Sequence, residues 1–210
     1  MKARILLPAA LFLLIWAGCK KTDLSPELSE QASSFTEIGS IDIGDVGAAE
    51  ISAYDPISKR LFSVNNGAVN KIDVIDLSDP TKPTLINSIG IAGYGGFANS
   101  VAVSNGRLAV AIEAAVKQDP GKVVIFDTRL LVEIKSIPVG ALPDHVSFSP
   151  DGNWILTANE GEPSADYQID PEGTVSIIDV RNGFSVTTVG FKSFAFFFFQ
   201  AEDGIRDSFR

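Results

Sequence analysis

The sequence predicts an all-β protein assembled from repeats, on three observations. A short apolar run closed by an aspartate occurs three times, at Ile72–Asp76, Val123–Asp127 and Val175–Asp179. The closing aspartates lie 51 and 52 residues apart, and a fixed period in this range marks stacked repeats. Around each run sit three further alternating runs in the same order, rich in Val, Ile, Phe and Thr and punctuated by Gly, Pro, Asn and Asp. Four short strands per unit of about 40–50 residues make one blade of a β-propeller. The expected architecture is a β-propeller fragment within residues 36–195, with about three four-stranded antiparallel blades in an open arc, near 47–91, 95–140 and 141–190. A β-sandwich whose strands are alike by chance is the alternative.

Each blade is read in the same way. The first strands are Glu50–Tyr54, Ser100–Ser104 and His145–Ser149, and the second are Arg60–Val64, Arg107–Ile112 and Asn153–Ala158. The aspartate-closed run is the third strand. The fourth covers Leu85–Ile89, Val132–Ile137 and Phe184–Val189. Ser149-Pro150-Asp151-Gly152 is the clearest turn, with Pro suited to the second position and Gly to the last. The recurrence of Asp76, Asp127 and Asp179 points to capping of turn amides rather than to catalysis, since a catalytic residue is rarely needed once per blade.

The ends have a different character. Lys2 and Arg4 precede an apolar stretch from Ile5 to Ile15, then small residues and Cys19, the pattern of a signal peptide over residues 1–18. The stretch is too short to span a bilayer comfortably. Ile15-Trp16-Ala17-Gly18-Cys19 resembles the lipobox of bacterial lipoproteins, although Trp16 stands where an aliphatic residue is usual. The resemblance implies that Cys19 is lipidated and becomes the new N-terminus. Its lipid would then hold the protein on the envelope membrane, expected to be the outer membrane. Cys19 is the only cysteine, which excludes an intrachain disulfide. Residues 20–35 are polar without an apolar period and read as a tether. Thr36–Ile43 alternates again, as a ring-closing strand would. At the other end, seven of the 14 phenylalanines fall between Phe191 and Phe209. The string from Phe196 to Asp207 resembles a translated sequencing adapter, which implies that residues 196–210 are not native and that the chain is cut short. An arc of three blades leaves two end faces without neighbours, so association or poor expression is expected.

The segment 19–195 carries 13 basic and 23 acidic residues, a net of −10. This acidity excludes nucleic acid as a partner class, because phosphates need Lys and Arg, and it supplies no basic patch for anionic lipid. Five carboxylates fall between residues 159 and 172 with no Lys or Arg among them, in the longest connection between a second and a third strand. Long insertions in one repeat map to one face, often the binding face. Clustered oxygen ligands there suit Ca²⁺, with Glu160, Glu162 and Asp170 as candidate ligands, although the spacing is not that of an EF-hand. A solvated acidic loop is the other reading. His145, the only histidine, opens a strand beside Asp144 and is assigned a structural or rim role, for there is no second His and no Gly-x-Ser-x-Gly. Gly93-Tyr94-Gly95-Gly96 is read as a turn between blades, not a phosphate loop.

From Leu142 to Gly152, and then through Ala158-Asn159-Glu160-Gly161-Glu162-Pro163 and Asp170–Asp179, the chain resembles the choice-of-anchor I family. The resemblance runs from about Phe35 to Val189. Its hallmark is the segment Asn159, Glu160, Gly161, Glu162 and Pro163. It implies an extracytoplasmic propeller held at the surface by one of several kinds of anchor, similar to the mesenchyme-specific cell-surface glycoproteins of biomineralising animals. Members are much longer than this chain, and the family supplies no catalytic residues to carry over, although some members bear an alkaline phosphatase label. Two functions follow as expectations: a surface-anchored, non-catalytic binding or scaffold module, which is preferred, and a calcium-assisted phosphoesterase of propeller type. The ligand or protein partner is not legible.

Overall fold

A computed structural model describes residues 36–44 and 47–191. The expected leader, Cys19 with its tether, and the 196–210 tail lie outside the described residues. The described residues from Glu37 to Phe191 fall in one compact unit.

The described residues contain strands and turns but no helix. Blade 1 consists of β1 (Ala48–Asp55), β2 (Arg60–Asn65), β3 (Lys71–Asp76) and β4 (Thr84–Gly90). Blade 2 consists of β5 (Ala98–Ser104), β6 (Arg107–Ile112), β7 (Pro120–Asp127) and β8 (Glu133–Ala141). Blade 3 consists of β9 (Pro143–Phe148), β10 (Trp154–Asn159), β11 (Thr174–Asp179) and β12 (Ser185–Gly190). Each is a four-stranded antiparallel meander in chain order. The predicted strands are all present. The largest differences are β7, which begins at Pro120 rather than Val123, and β8, which runs on to Ala141. Both extensions lie beyond a register shift, where the alternation that guided the sequence reading is broken.

Register makes the blades superimposable. Asn65 pairs with Lys71, Ile112 with Lys122 and Asn159 with Thr174. These positions are therefore equivalent, and alternation gives every blade two comparable faces. One, here the A face, carries Ser63, Asn65 and Asp73 in blade 1, Val110, Ile112 and Val124 in blade 2, and Thr157, Asn159 and Ser176 in blade 3. The opposite B face carries Phe62, Val64, Ile72 and Val74 in blade 1, Ala109, Ala111, Val123 and Ile125 in blade 2, and Leu156, Ala158, Val175 and Ile177 in blade 3.

The B face of blade 1 and the A face of blade 2 bury Phe62, Val64, Val74, Leu108, Val110 and Phe126 in one core. The B face of blade 2 and the A face of blade 3 form a second, with Ala109, Val123, Ile125, Ile155 and Ile178. The first strands β1, β5 and β9 touch in succession, as the innermost strands of a propeller do. The fourth strands lie outermost, and β4 is exposed except at Ile89. This same-sense stacking of meanders around first strands is the propeller arrangement, not a two-sheet sandwich.

The turns behave as the residue types require. Asp76 accepts from the Ser78 amide at 2.9 Å, Asp127 from Arg129 and Leu130 at 2.8 and 2.7 Å, and Asp179 from Arg181 at 3.0 Å. Gly152 closes the Ser149–Gly152 turn onto the Ser149 carbonyl at 2.8 Å. Within it, Asp151 accepts from the Ser149 hydroxyl and from Asn153, which holds its carboxyl down at about 2. The Gly93–Gly96 stretch turns between blades 1 and 2, where the Gly96 amide donates to the Glu113 carbonyl at 2.8 Å.

Residues 36–44 form no strand. Two points within residues 37–44 touch blade 1. Gly39 packs on Pro80 and Pro83, and the Ile43 carbonyl accepts from Asn65 Nδ2 at 3.2 Å. Of the alternating Ile38, Ile41 and Ile43, the first is exposed and the other two are half-buried.

Candidate functional site

Strand direction decides where the loops go. Lys71 pairs with both Asn65 and Gly90, so the β2–β3 loop and the exit from β4 share one end of the blade. The same holds in blades 2 and 3. The loops 66–70, 113–119 and 160–173 and the links between blades therefore gather at one end, opposite the turns built on Asp76, Asp127 and Asp179.

This end is braced from blade to blade. Asn66 Nδ2 donates to the Ala98 carbonyl at 2.8 Å, Gln118 Nε2 to the Glu162 carbonyl at 3.1 Å, and the Glu160 amide to the Leu142 carbonyl at 2.8 Å. A register shift lies near this end of each innermost strand, and such bulges twist the strand and re-aim its side chains.

The hallmark segment divides into an inner and an outer part. Asn159 is 2% exposed. Its Nδ2 donates to Thr174 Oγ1 at 3.0 Å and Ser176 Oγ at 2.9 Å, and its Oδ1 accepts from the Thr157 hydroxyl at 2.7 Å. Ser176 Oγ in turn shares a hydrogen bond of 2.9 Å with Thr188 Oγ1. This ladder crosses β10, β11 and β12 within the contact between blades 2 and 3, where Gly140 leaves room for Asn159 and Thr174. Asn159 thus acts in the blade interface and not on the surface, the opposite of what its place in an acidic loop implies. Its alternation with Thr157, and Ser176 across from Thr157, is the sequence signal for the ladder.

Gly161 is buried with φ of +68°, a conformation L side chains rarely adopt. A Cβ there would lie 2.6 Å from the Pro171 carbonyl and 2.7 Å from the Gly173 amide nitrogen. Gly161 is therefore the pinch that brings the two arms of the loop together. Gly161→Ala is expected to cost about 1–3 kcal/mol. It should speed amide hydrogen exchange across residues 160–173 while β10 and β11 keep their protection. Unchanged exchange in the loop would remove the pinch from the account.

The outer residues take separate directions. Glu162 faces Lys117 of blade 2 at 3.6 Å. Glu172 accepts from the Phe191 amide at 3.0 Å. Asp166 accepts from Ser164 and from the Gln168 amide, which holds its carboxyl below the ordinary value. Glu160 and Asp170 are exposed. Among the described residues no three Asp, Glu, His or Cys side chains are grouped as a metal site requires, so Glu160, Glu162 and Asp170 are not brought to one point. His145 lies exposed on β9, opposite Ala158, next to the exposed Asp144.

Solved structures share parts of this arrangement. Hydrazine synthase of Kuenenia stuttgartiensis is 18% identical, with 67% of this chain and 37% of that chain covered and a TM-score of 0.49. The Pan2 WD40 domain of Neurospora crassa is 16% identical over 63% of this chain and 38% of that one, with a TM-score of 0.45. The Cps50 (Swd1) β-propeller domain of Myceliophteria thermophila is 11% identical over 68% and 38%, with a TM-score of 0.43. The chain thus spans under two-fifths of the length of each. The fold is given by strand order and register. No curated protein matches the sequence. The choice-of-anchor I domain matches residues 50–209, which is most of the sequence and contains all but the start of the first blade, and the chain therefore belongs to the choice-of-anchor I domain family.

Proposed function

We propose that the protein is an extracytoplasmic, surface-anchored propeller module that binds a partner through its loop end and carries out no catalysis. One observation carries this reading. The longest loop of the three blades, 160–173, stands at the end where all inter-blade links emerge. It is pinched by Gly161 and braced on blade 2 through Gln118 and Lys117. A long loop fixed on a rigid scaffold is the usual form of a recognition surface. Tyr167 at 77% and Ile169 at 56% exposure place apolar side chains on it, and such groups are what a partner covers. The partner class remains that of an envelope or extracellular component, in keeping with the family.

Anchoring is assigned to a lipid on Cys19, whose several chains would hold the protein where a single chain holds only marginally. Cys19→Ala should move the protein from the membrane fraction to the soluble one or leave it unprocessed; unchanged fractionation and size would defeat the anchor. The binding face is tested with a photo-reactive residue placed at Tyr167 or, as the control, at Leu130, which is 72% exposed at the opposite end. An envelope component is expected to crosslink from position 167 and not from 130. Equal yields from both, or none from either, would sink the assignment.

A further inference from the structure

Blade 1 brings together three side chains that the other two blades do not combine. Asn65 and Lys71 face each other across β2 and β3. Cross-strand partners have Cβ atoms about 4.5–5.5 Å apart, within the reach of a lysine side chain. Asp73 stands two residues beyond Lys71, on the same face of the sheet. Its Oδ1 lies 2.8 Å from Lys71 Nζ, and its Oδ2 accepts from Asn65 Nδ2 at 2.7 Å. One carboxylate thus holds an amine and a carboxamide at once. At the equivalent positions blade 2 has Ile112, Lys122 and Val124, and blade 3 has Asn159, Thr174 and Ser176. The ladder of blade 3 shows that an asparagine here can be satisfied by hydroxyls alone, with neither a lysine nor a carboxylate.

The Asn65 amide is held as an acyl group under attack would be. The Gly67 amide donates to Asn65 Oδ1 at 3.1 Å, the oxygen on which negative charge would develop. Nδ2 is fixed by Asp73 and by the Ile43 carbonyl at 3.2 Å. Ser88 Oγ donates to Asp73 Oδ1 at 2.5 Å and orients the carboxylate. Asp73 is 0% and Asn65 5% exposed, so water is a poor competitor at the amide carbon. A cavity of about 320 Å³, lined by Asn65, Gly67 and Lys71 among others, lies beside the group and gives a leaving molecule a way out.

We propose that Lys71 and Asn65 condense after folding into an isopeptide bond, with Asp73 as the proton shuttle. Asp73 takes a proton from the Lys71 ammonium at Oδ1, as a base beside a nucleophile does. The freed Nζ lone pair attacks Asn65 Cγ, and the carbonyl electrons move onto Oδ1 against the Gly67 amide. The Cγ–Nδ2 bond then breaks. Two Nζ protons pass in turn through Asp73 to the departing nitrogen, so ammonium leaves and Asp73 ends as the carboxylate it began as. Nothing is oxidised or reduced. The charged pair is the resting state and the neutral pair a minor one, so condensation is slow beside folding and freshly refolded chain carries both charges. The bond closes the loop 66–70 covalently at its base.

Tryptic mapping of the full chain tests this. In chain isolated unfolded and then refolded, the segment holding both residues should become lighter by one ammonia. Cleavage after Lys71 should disappear in step, because trypsin needs the free ammonium. Lys71→Arg keeps a charge beside Asp73 and should retain the full mass. Asp73→Asn removes the shuttle and should slow the bond by about a hundredfold or more. Circular dichroism confirms that each variant folds, and the native chain decides the existence of the bond without them. A native chain that keeps its full mass and stays cleavable after Lys71 overturns the inference. So does loss of ammonia with Lys71 still cleavable, which marks a succinimide at Asn65 or Asn66 instead. An Asp73→Asn chain that links as fast as the native one overturns the shuttle.

Discussion

Asn159→Ala is expected to lower the melting temperature by roughly 10 °C. The side chain is buried and makes three hydrogen bonds. Its removal takes a partner from the hydroxyls of Thr157 and Thr174, while Ser176 keeps Thr188, and a buried unsatisfied polar group costs about 1–3 kcal/mol. Rotation of the hydroxyls toward one another offsets part of this, leaving a net loss of about 3 kcal/mol, which in a chain of this size gives a shift of that order. Asn159→Asp separates the donor from the shape. It keeps the acceptor but puts a carboxylate where an amide donated, so burial raises its pKa. A raised folded-state pKa means that stability falls as pH rises through that value. Asn159→Asp should accordingly regain stability toward acid, whereas Asn159→Ala should not. Thermal melts at pH 4 and pH 7 decide this, and equal losses at both would reject the ladder as the source of the effect.

Asp73→Ala is expected to cost about 3 kcal/mol, on the scale of breaking a buried ion pair by removing one partner. Asp73 is fully buried. It accepts from Asn65 Nδ2 at 2.7 Å and Ser88 Oγ at 2.5 Å and faces Lys71 Nζ at 2.8 Å. Burial alone pushes its carboxyl up, but the bonds from Lys71, Ser88 and Asn65 and the Lys71 charge outweigh it and hold the group below its ordinary 3.8. A depressed folded-state pKa gives stability that is complete above the unfolded value and is lost as pH falls through the folded one. The gap between native protein and Asp73→Asn should therefore be widest above about pH 4 and shrink in stronger acid. Urea titrations at pH 3, 5 and 7 measure it. A gap independent of pH would mean that Asp73 contributes shape rather than charge.

Much of the fold was legible because a propeller repeats its instructions. The alternation of Phe62, Val64, Ile72 and Val74 names a sheet face, and the recurrence of Asp76, Asp127 and Asp179 sets the unit length and marks the turns. Local chemistry suffices for both, since period-2 patterning and Asp-capped turns act within a few residues. The candidate site was legible only as composition. Five carboxylates between residues 159 and 172 were visible. Whether they converge depends on the path of the backbone through Gly161 and on Lys117 and Gln118 from the neighbouring blade, and neither is encoded by spacing along the chain.

The sequence by itself determined the all-β class, the four-strand unit, the register of hydrophobic faces and the capped turns, because each is set by contacts between residues close in the chain or in adjacent strands. Only the tertiary structure decided that Asn159 belongs to the contact between blades 2 and 3, that Asp73 lies buried among Lys71, Asn65 and Ser88, and that Glu160, Glu162 and Asp170 stand apart. Those outcomes depend on which face of one sheet meets which face of the next. A side chain of given type is a ligand, an interface bond or a solvated charge according to what is packed against it, and that information is carried by residues some fifty positions away.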